Sequence, residues 1–238
     1  MGKAPIVLLH GWGLSSASFH QLSDYLSQDF ELYLVNLPGF GGSPIPEKPY
    51  GLAEMAAEVL AFIKKSGINN PTLLGHSVGG KIAAYLAATN PECVNRLILI
   101  NSSGLPRTRD LKSQIKIKLI QLLRQAIKWL DSKFSTTLFK NWFIPRFASP
   151  DYKNAGPMLP TFLKVVNEQL TTLLPLIRCR TLLLWGSEDS ETPLEVGERF
   201  NRAISNSELV VLTGGDHWVF AGGGATQCAY QIRKFLLA

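Results

Sequence analysis

Six short apolar runs, each closed by turn residues, recur along the chain: PIVLLH (5–10), ELYLVN (31–36), PTLLG (71–75), RLILIN (96–101), TLLLW (181–185) and ELVVLT (208–213). Runs without polar alternation suit strands covered on both faces, as in a parallel sheet. Helical periodicity falls between them at 15–28, 52–66, 78–89, 194–204 and 225–237. The alternation predicts an α/β fold with a doubly wound, mostly parallel sheet.

The rhythm breaks once. About seventy-five residues, 105–178, carry helical character and no convincing strand before the sheet resumes at TLLLW. Within them, 111–134 places Ile115, Leu119, Leu122, Leu123, Ala126, Ile127 and Leu130 near one helical face, with most lysines elsewhere. The expected organisation is a core of 1–104 and 179–238 with a helical cap, 105–178, inserted across one end of the sheet. The apolar face of 111–134 is expected to roof the pocket beneath it.

At 238 residues and 46% hydrophobic, the chain has the size of one enzyme domain with a large core. Its net charge of +6 is localised: between Leu105 and Arg146 ten basic residues face two acidic ones, Asp110 and Asp131. That segment is +8 and the remainder −2, so the basic balance belongs to the cap and gives no general nucleic-acid signal. Cys93, Cys179 and Cys228 are odd in number and widely spaced, which suggests neither a disulfide framework nor a zinc site. His10, His20, His76 and His217 form no ligand cluster in sequence, so no metal is assigned. The N-terminus reads as a strand, without a secretory cleavage pattern, and no apolar run approaches the ~20 residues of a membrane span. The expectation is a soluble, cytoplasmic protein; monomer and dimer both stay open.

The chemistry centres on PTLLGHSVGGKIAA (71–84), where a strand meets a helix with almost no loop and Ser77 sits at the turn in G-x-S-x-G. Side chains at Gly75 and Gly79 would collide with neighbouring elements, and the serine hydroxyl is left at the sheet edge beside a helix N-terminus. A phosphate loop is the rival, since Gly75, Gly80 and Lys81 fit G-x-x-x-x-G-K, but the following position is Ile82 instead of Ser or Thr. A serine nucleophile needs a base and an acid. Asp189, in WGSEDSETP after TLLLW, and His217, in GGDHW after ELVVLT, fall at the carboxyl ends of their strands, the edge that also carries Ser77. Glu188 and Glu191 are alternative acids, Asp189 could instead cap the helix near Pro193, and His217 could be a surface loop residue. The backbone N–H groups of Trp12, in LLHGWG, and Val78 are candidate oxyanion donors. His10 and His76 adjoin strand ends and are read as loop holders.

With LLHGWG, LPGFGGS (37–43), GHSVGG, the helical insertion, WGSEDSETP and GGDHW in place, the chain resembles the α/β-hydrolase superfamily over nearly its full length. The resemblance implies a Ser77 nucleophile, Asp189 acid and His217 base, Trp12 and Val78 as oxyanion donors, a cap shaping the acyl pocket, and no cofactor. Two departures stand out. The chain starts at the place of the family's third strand, so a leading antiparallel hairpin should be short or missing, and WVFAGGGATQC after His217 lacks the family's common acidic residue and proline. LHGWGLSSASF and NLPGFGGS are similar to the small bacterial carboxylesterases that cleave pimeloyl-acyl-carrier-protein methyl ester. That likeness implies an ester substrate and an acidic acyl carrier protein meeting the basic cap. Carbon–carbon bond hydrolases, hydrolase-like lyases and ligand-binding receptors share the fold. A membrane surface is a further candidate partner for the cap, against which the roofing role of its apolar face weighs.

Overall fold

The structure is a computed structural model that describes residues 2–108 and 110–238; Arg109, one of the ten basic cap residues, lies outside the described residues. The six apolar runs form β1 (Ala4–Leu9), β2 (Phe30–Val35), β3 (Thr72–His76), β4 (Arg96–Ile100), β5 (Arg180–Gly186) and β6 (Ser207–Leu212), each within a residue or two of the predicted ends. They lie in the order β2-β1-β3-β4-β5-β6 with every neighbouring pair parallel. No antiparallel pair occurs among the described residues.

Side chains alternate across the sheet, and both faces are apolar because both are covered. Leu8, Leu74, Ile98 and Leu184 point into one core with Phe19, Leu22, Ile232 and Phe235, from α1 (His20–Leu26), the 3-10 turn before it and the C-terminal helix. Leu9, Leu73, Leu99 and Trp185 point into the other with residues of α2 (Leu52–Lys65) and α3 (Val78–Thr89). The predicted helix at 15–28 is thus split: Ser16–Phe19 is 3-10, where the Ser18 hydroxyl donates to the Ser15 carbonyl and the Ser16 N–H to Asn36. The order in which strands are added reverses between β1 and β3, from one side of β1 to the other, which opens the crevice at the strands' carboxyl ends where α/β sheets hold ligands.

Between β4 and β5 the described chain is helical: α4 (Leu111–Phe134), a π-helical turn at Phe139–Phe143, then α5 (Ile144–Phe147), α6 (Pro150–Asn154) and α7 (Leu159–Asn167). After β5 come α8 (Leu194–Ala203) and α9 (Gly224–Leu237). The roofing role expected for α4 is not what the structure shows. Of its residues only Ile127 is buried, while Ile115, Leu119, Leu122 and Leu123 face solvent, and α4 gives no side chain to the cavity wall beneath. The roof is α7 instead, whose Phe162 and Val165 are buried over the sheet edge. Periodicity revealed that α4 has an apolar face but not which way that face turns.

Urea unfolding checks this arrangement. Ile127→Ala should cost about 2 kcal/mol or more, whereas Leu119→Ser and Leu122→Ser should each stay within about 0.5 kcal/mol. A Leu122→Ser loss as large as that of Ile127→Ala would mean the outer face is covered in solution.

Candidate active site

The turn from β3 to α3 holds Ser77 at φ 51° and ψ −115°, a sparsely populated conformation that costs about 1–3 kcal/mol. Hydrogen bonds on both sides fix it: the Ser77 N–H donates to the Ile100 carbonyl at 3.2 Å, and its own carbonyl accepts from Lys81 and Ser103 at 3.1 Å. Glycine is obligatory on either side. A Cβ on Gly75 would lie 2.4 Å from the Gly79 carbonyl oxygen, and one on Gly79 would lie 2.0 Å from that of Leu9. Val78 opens α3, so its N–H has no partner within the helix. Trp12 stands across from it, after β1, and both line the cavity that holds Ser77.

Asp189 and His217 come together at that edge. His217 Nδ1 and Asp189 Oδ2 are 2.8 Å apart, with both residues buried. Asp189 also accepts from the N–H groups of Glu191 and Thr192 at 2.7 and 2.8 Å and from the Thr192 hydroxyl at 2.7 Å. Burial works to raise its carboxyl pKa, but the bonds from His217 and Thr192 outweigh burial and keep it below the ordinary value. The carboxylate therefore stays ionised and takes the proton-bearing Nδ1 of His217. The bonds from Glu191 and Thr192 also hold the turn that precedes α8, but the helix's N-cap is Pro193 and no side chain caps it, so the structure does not give Asp189 the helix-capping role. Glu188 is exposed and Asp216 accepts from the Trp218 N–H, so neither reaches His217 Nδ1. Glu191 approaches the other nitrogen, with Oε2 3.5 Å from Nε2.

His10 and His76 hold loops. Leu37 N–H donates to His10 Nε2 at 3.1 Å, which leaves Nδ1 to donate to the Gly11 carbonyl at 2.8 Å and ties the β1 loop to the β2 loop. His76 Nε2 donates to the His217 carbonyl at 2.9 Å, and burial drives its pKa down to about 3, so the ring is a neutral strut.

Three contributors escaped the sequence reading. Asn101 accepts from Gly186 N–H at 2.9 Å and donates to the Asp216 carbonyl at 2.8 Å, joining the acid and histidine loops. A polar residue closing the run RLILIN was its only signal. Thr192 carries the third bond to Asp189 described above. Lys81, one turn after Ser77, is buried and donates to the Val165 carbonyl at 2.5 Å, closing the C-terminal turn of α7. The G-x-x-x-x-G-K match is thus a strand end and a helix start, with its lysine facing the roof.

The cavity above Ser77 measures about 510 Å³. Trp12, Ser77, Val78, Lys81 and His217 form its floor, and Arg107, Asp151, Phe162 and Val165 its cap side. Among the described residues no cluster suits a metal ion.

Comparison with known proteins gives the family. The family described as alpha/beta hydrolase fold matches residues 4–141, and a TAP-like protein description matches 166–238. The chain belongs to the α/β-hydrolase family. A pimeloyl-[acyl-carrier protein] methyl ester esterase of Yersinia pestis is 30% identical, covering 92% of this chain and 88% of that protein. One of Vibrio atlanticus is 28% identical over 97% and 94%. A hydrolase from Pseudomonas aeruginosa superposes with TM-score 0.73 at 23% identity, over 99% of this chain and 91% of that one, which shows the shared fold.

In this hydrolase Lys81 has a measurable signature. Burial lowers its pKa to about 8, partly opposed by Glu168. The unfolded chain therefore holds the proton more tightly between pH 8 and about 10.5, and stability rises with pH across that window. Below pH 8 the buried charge costs about 3 kcal/mol, less whatever the bond to α7 returns. Lys81→Met should raise Tm by a few degrees at pH 7, with the gain shrinking toward pH 10. A difference that does not change with pH would contradict a buried, charged amine.

Proposed function

We propose that this hydrolase is a serine carboxylesterase in which Ser77 attacks the ester carbonyl, His217 takes its proton and Asp189 holds the imidazole. The observation that carries the reading is the buried 2.8 Å pair of Asp189 and His217 Nδ1 at the edge where Ser77 is strained outward. That pairing leaves Nε2 as the free base. The N–H groups of Trp12 and Val78 receive the oxyanion of the tetrahedral intermediate, a contribution of about 3–4 kcal/mol when one such donor is removed. His217 then protonates the departing alcohol, and water repeats the sequence on the acyl-enzyme. Glu191, its side chain 59% exposed, is free to leave Nε2 when substrate fills the cavity. No cofactor enters the chemistry, and a cytoplasmic location belongs to this reading. Residues 1–104 and 179–238 act as the catalytic core and 105–178 as the cap.

The substrate we propose is the methyl ester of an acyl chain carried on an acidic acyl carrier protein, as the names of the Yersinia and Vibrio relatives describe for those proteins. Arg107 on the cap side of the cavity, with Arg124 and Lys128 on α4, supplies charge complementary to such a carrier.

A fluorophosphonate should add once, at Ser77, and Ser77→Ala should lower ester turnover by a factor on the order of 10⁶. Asp189→Asn should cost on the order of 10⁴, through the wrong tautomer of His217, while Glu188→Gln does little. Labelling that persists in Ser77→Ala would sink the assignment.

Joint reversal of Arg107, Arg124 and Lys128 to Glu should reduce kcat/KM far more on a carrier-bound methyl ester than on p-nitrophenyl butyrate. Raising salt to ~0.5 M, where screening acts over about 4 Å, should weaken the wild-type enzyme on the carrier substrate alone. An equal response of both substrates would remove the carrier from the reading.

A further inference from the structure

Among the described residues the outer face of α4 (Leu111–Phe134) is apolar and unpartnered. At 100° per residue, Leu111, Ile115, Leu119, Leu122, Leu123 and Trp129 fall within an arc of about 120° along a helix about 36 Å long. Leu111, Leu119, Leu122 and Trp129 are 71%, 60%, 60% and 58% exposed. The helix rests on the protein through a different side, where Ile127 is buried and Ile117 and Ile120 are half-buried. A strip of this length is more apolar surface than ordinary solvation of a helix requires.

Its margins are cationic. Lys116 borders one side of the strip and Lys118 the other, while Lys112 and Lys133 fall within its arc at the two ends of the helix, Lys133 4.9 Å above the Trp129 ring. With Arg124 and Lys128 the helix carries six basic residues against Asp131 alone. That carboxylate is already engaged by the Thr136 hydroxyl and the N–H groups of Leu138 and Phe139.

We infer that α4 docks in the plane of an anionic lipid surface, a property beyond the esterase reading and independent of it. The strip enters the boundary between headgroups and acyl chains, and the lysines extend along its margins to the phosphates. Charge decides against a second copy of this chain: strip-to-strip packing would bring two helices of net charge +5 to about 8–10 Å with no free carboxylate between them. It decides against an acidic protein on this face as well. Carboxylates would meet the lysines, but they would also be drawn over five leucine and isoleucine side chains that offer them no donor, at a desolvation cost. A lipid surface satisfies the strip and its margins together. Since α4 gives no side chain to the catalytic cavity, docking leaves the site unobstructed.

The test is co-sedimentation with phosphatidylcholine vesicles containing about 30 mol% phosphatidylglycerol, beside pure phosphatidylcholine vesicles, at low and ~0.5 M salt. The wild-type chain should partition at least about tenfold better onto the anionic vesicles and be released by salt. Leu119→Glu with Leu122→Glu should abolish partitioning while p-nitrophenyl butyrate turnover stays unchanged, which shows that the double variant is folded. The inference fails if the wild-type chain ignores anionic vesicles or the double variant still binds them. It fails equally if, without vesicle binding, the double variant merely splits a dimer seen by light scattering or loses activity only on the carrier-bound ester.

Discussion

The rest of the site depends on one close approach: the first turn of α3 runs so near the end of β1 that no Cβ fits at Gly79, where it would meet the Leu9 carbonyl oxygen at 2.0 Å. That contact sets the start of α3 beside the loop after β1, where Trp12 and Val78 line one cavity and the chain passes through Ser77 at positive φ. The strain is local, about 1–3 kcal/mol, and two apolar layers on either side of the sheet supply far more than that. Such strain persists because the surrounding bonds leave Ser77 no alternative. Its N–H is bound to β4 and its carbonyl to Lys81 and Ser103.

Around this fixed point the loops are joined by buried polar groups, each with a defined donor or acceptor role. His10 ties the first two loops, Asn101 joins the acid and histidine loops, and His76 holds the His217 carbonyl. In a low-dielectric setting, losing one partner leaves the other unsatisfied at about 1–3 kcal/mol, so the network favours a single arrangement of the three loops. Asp189 sits at its centre with four donors. A carboxylate so surrounded is held by its backbone partners even when His217 gives up its proton.

The strands were legible because they are buried on both faces, and the Ser77 turn because its geometry admits so few residues. Asp189 and His217 were legible from their places after β5 and β6. Asn101, Thr192 and Lys81 were not: Asn101 acts through Gly186 and Lys81 through Val165, both distant in sequence, and the Thr192 hydroxyl bonds Asp189 three residues before it while also reaching the distant Asn101 carbonyl. One-dimensional spacing cannot show that the lysine of a spurious phosphate-loop match closes a helix in the cap. The orientation of α4 was hidden for a related reason. Its outer strip and its inner side are both apolar, and the packing of the π-helical turn against the helix decides which of them the protein covers.

That division has a consequence for how the cap is built. α7 supplies the wall over Ser77, is bound to the core through Lys81, and accepts the Tyr50 N–H on its Thr161 hydroxyl at 3.1 Å. Substitutions there change the cavity and its anchorage together. α4 has no share in the cavity wall, so its outer residues are unconstrained by catalysis and by packing alike. Ordinary drift under those conditions would replace exposed leucines with polar residues, because isolated apolar side chains on a solvated helix contribute little to stability. A strip of six, spaced to one face and bordered by lysines, therefore calls for a contact that the isolated chain does not contain.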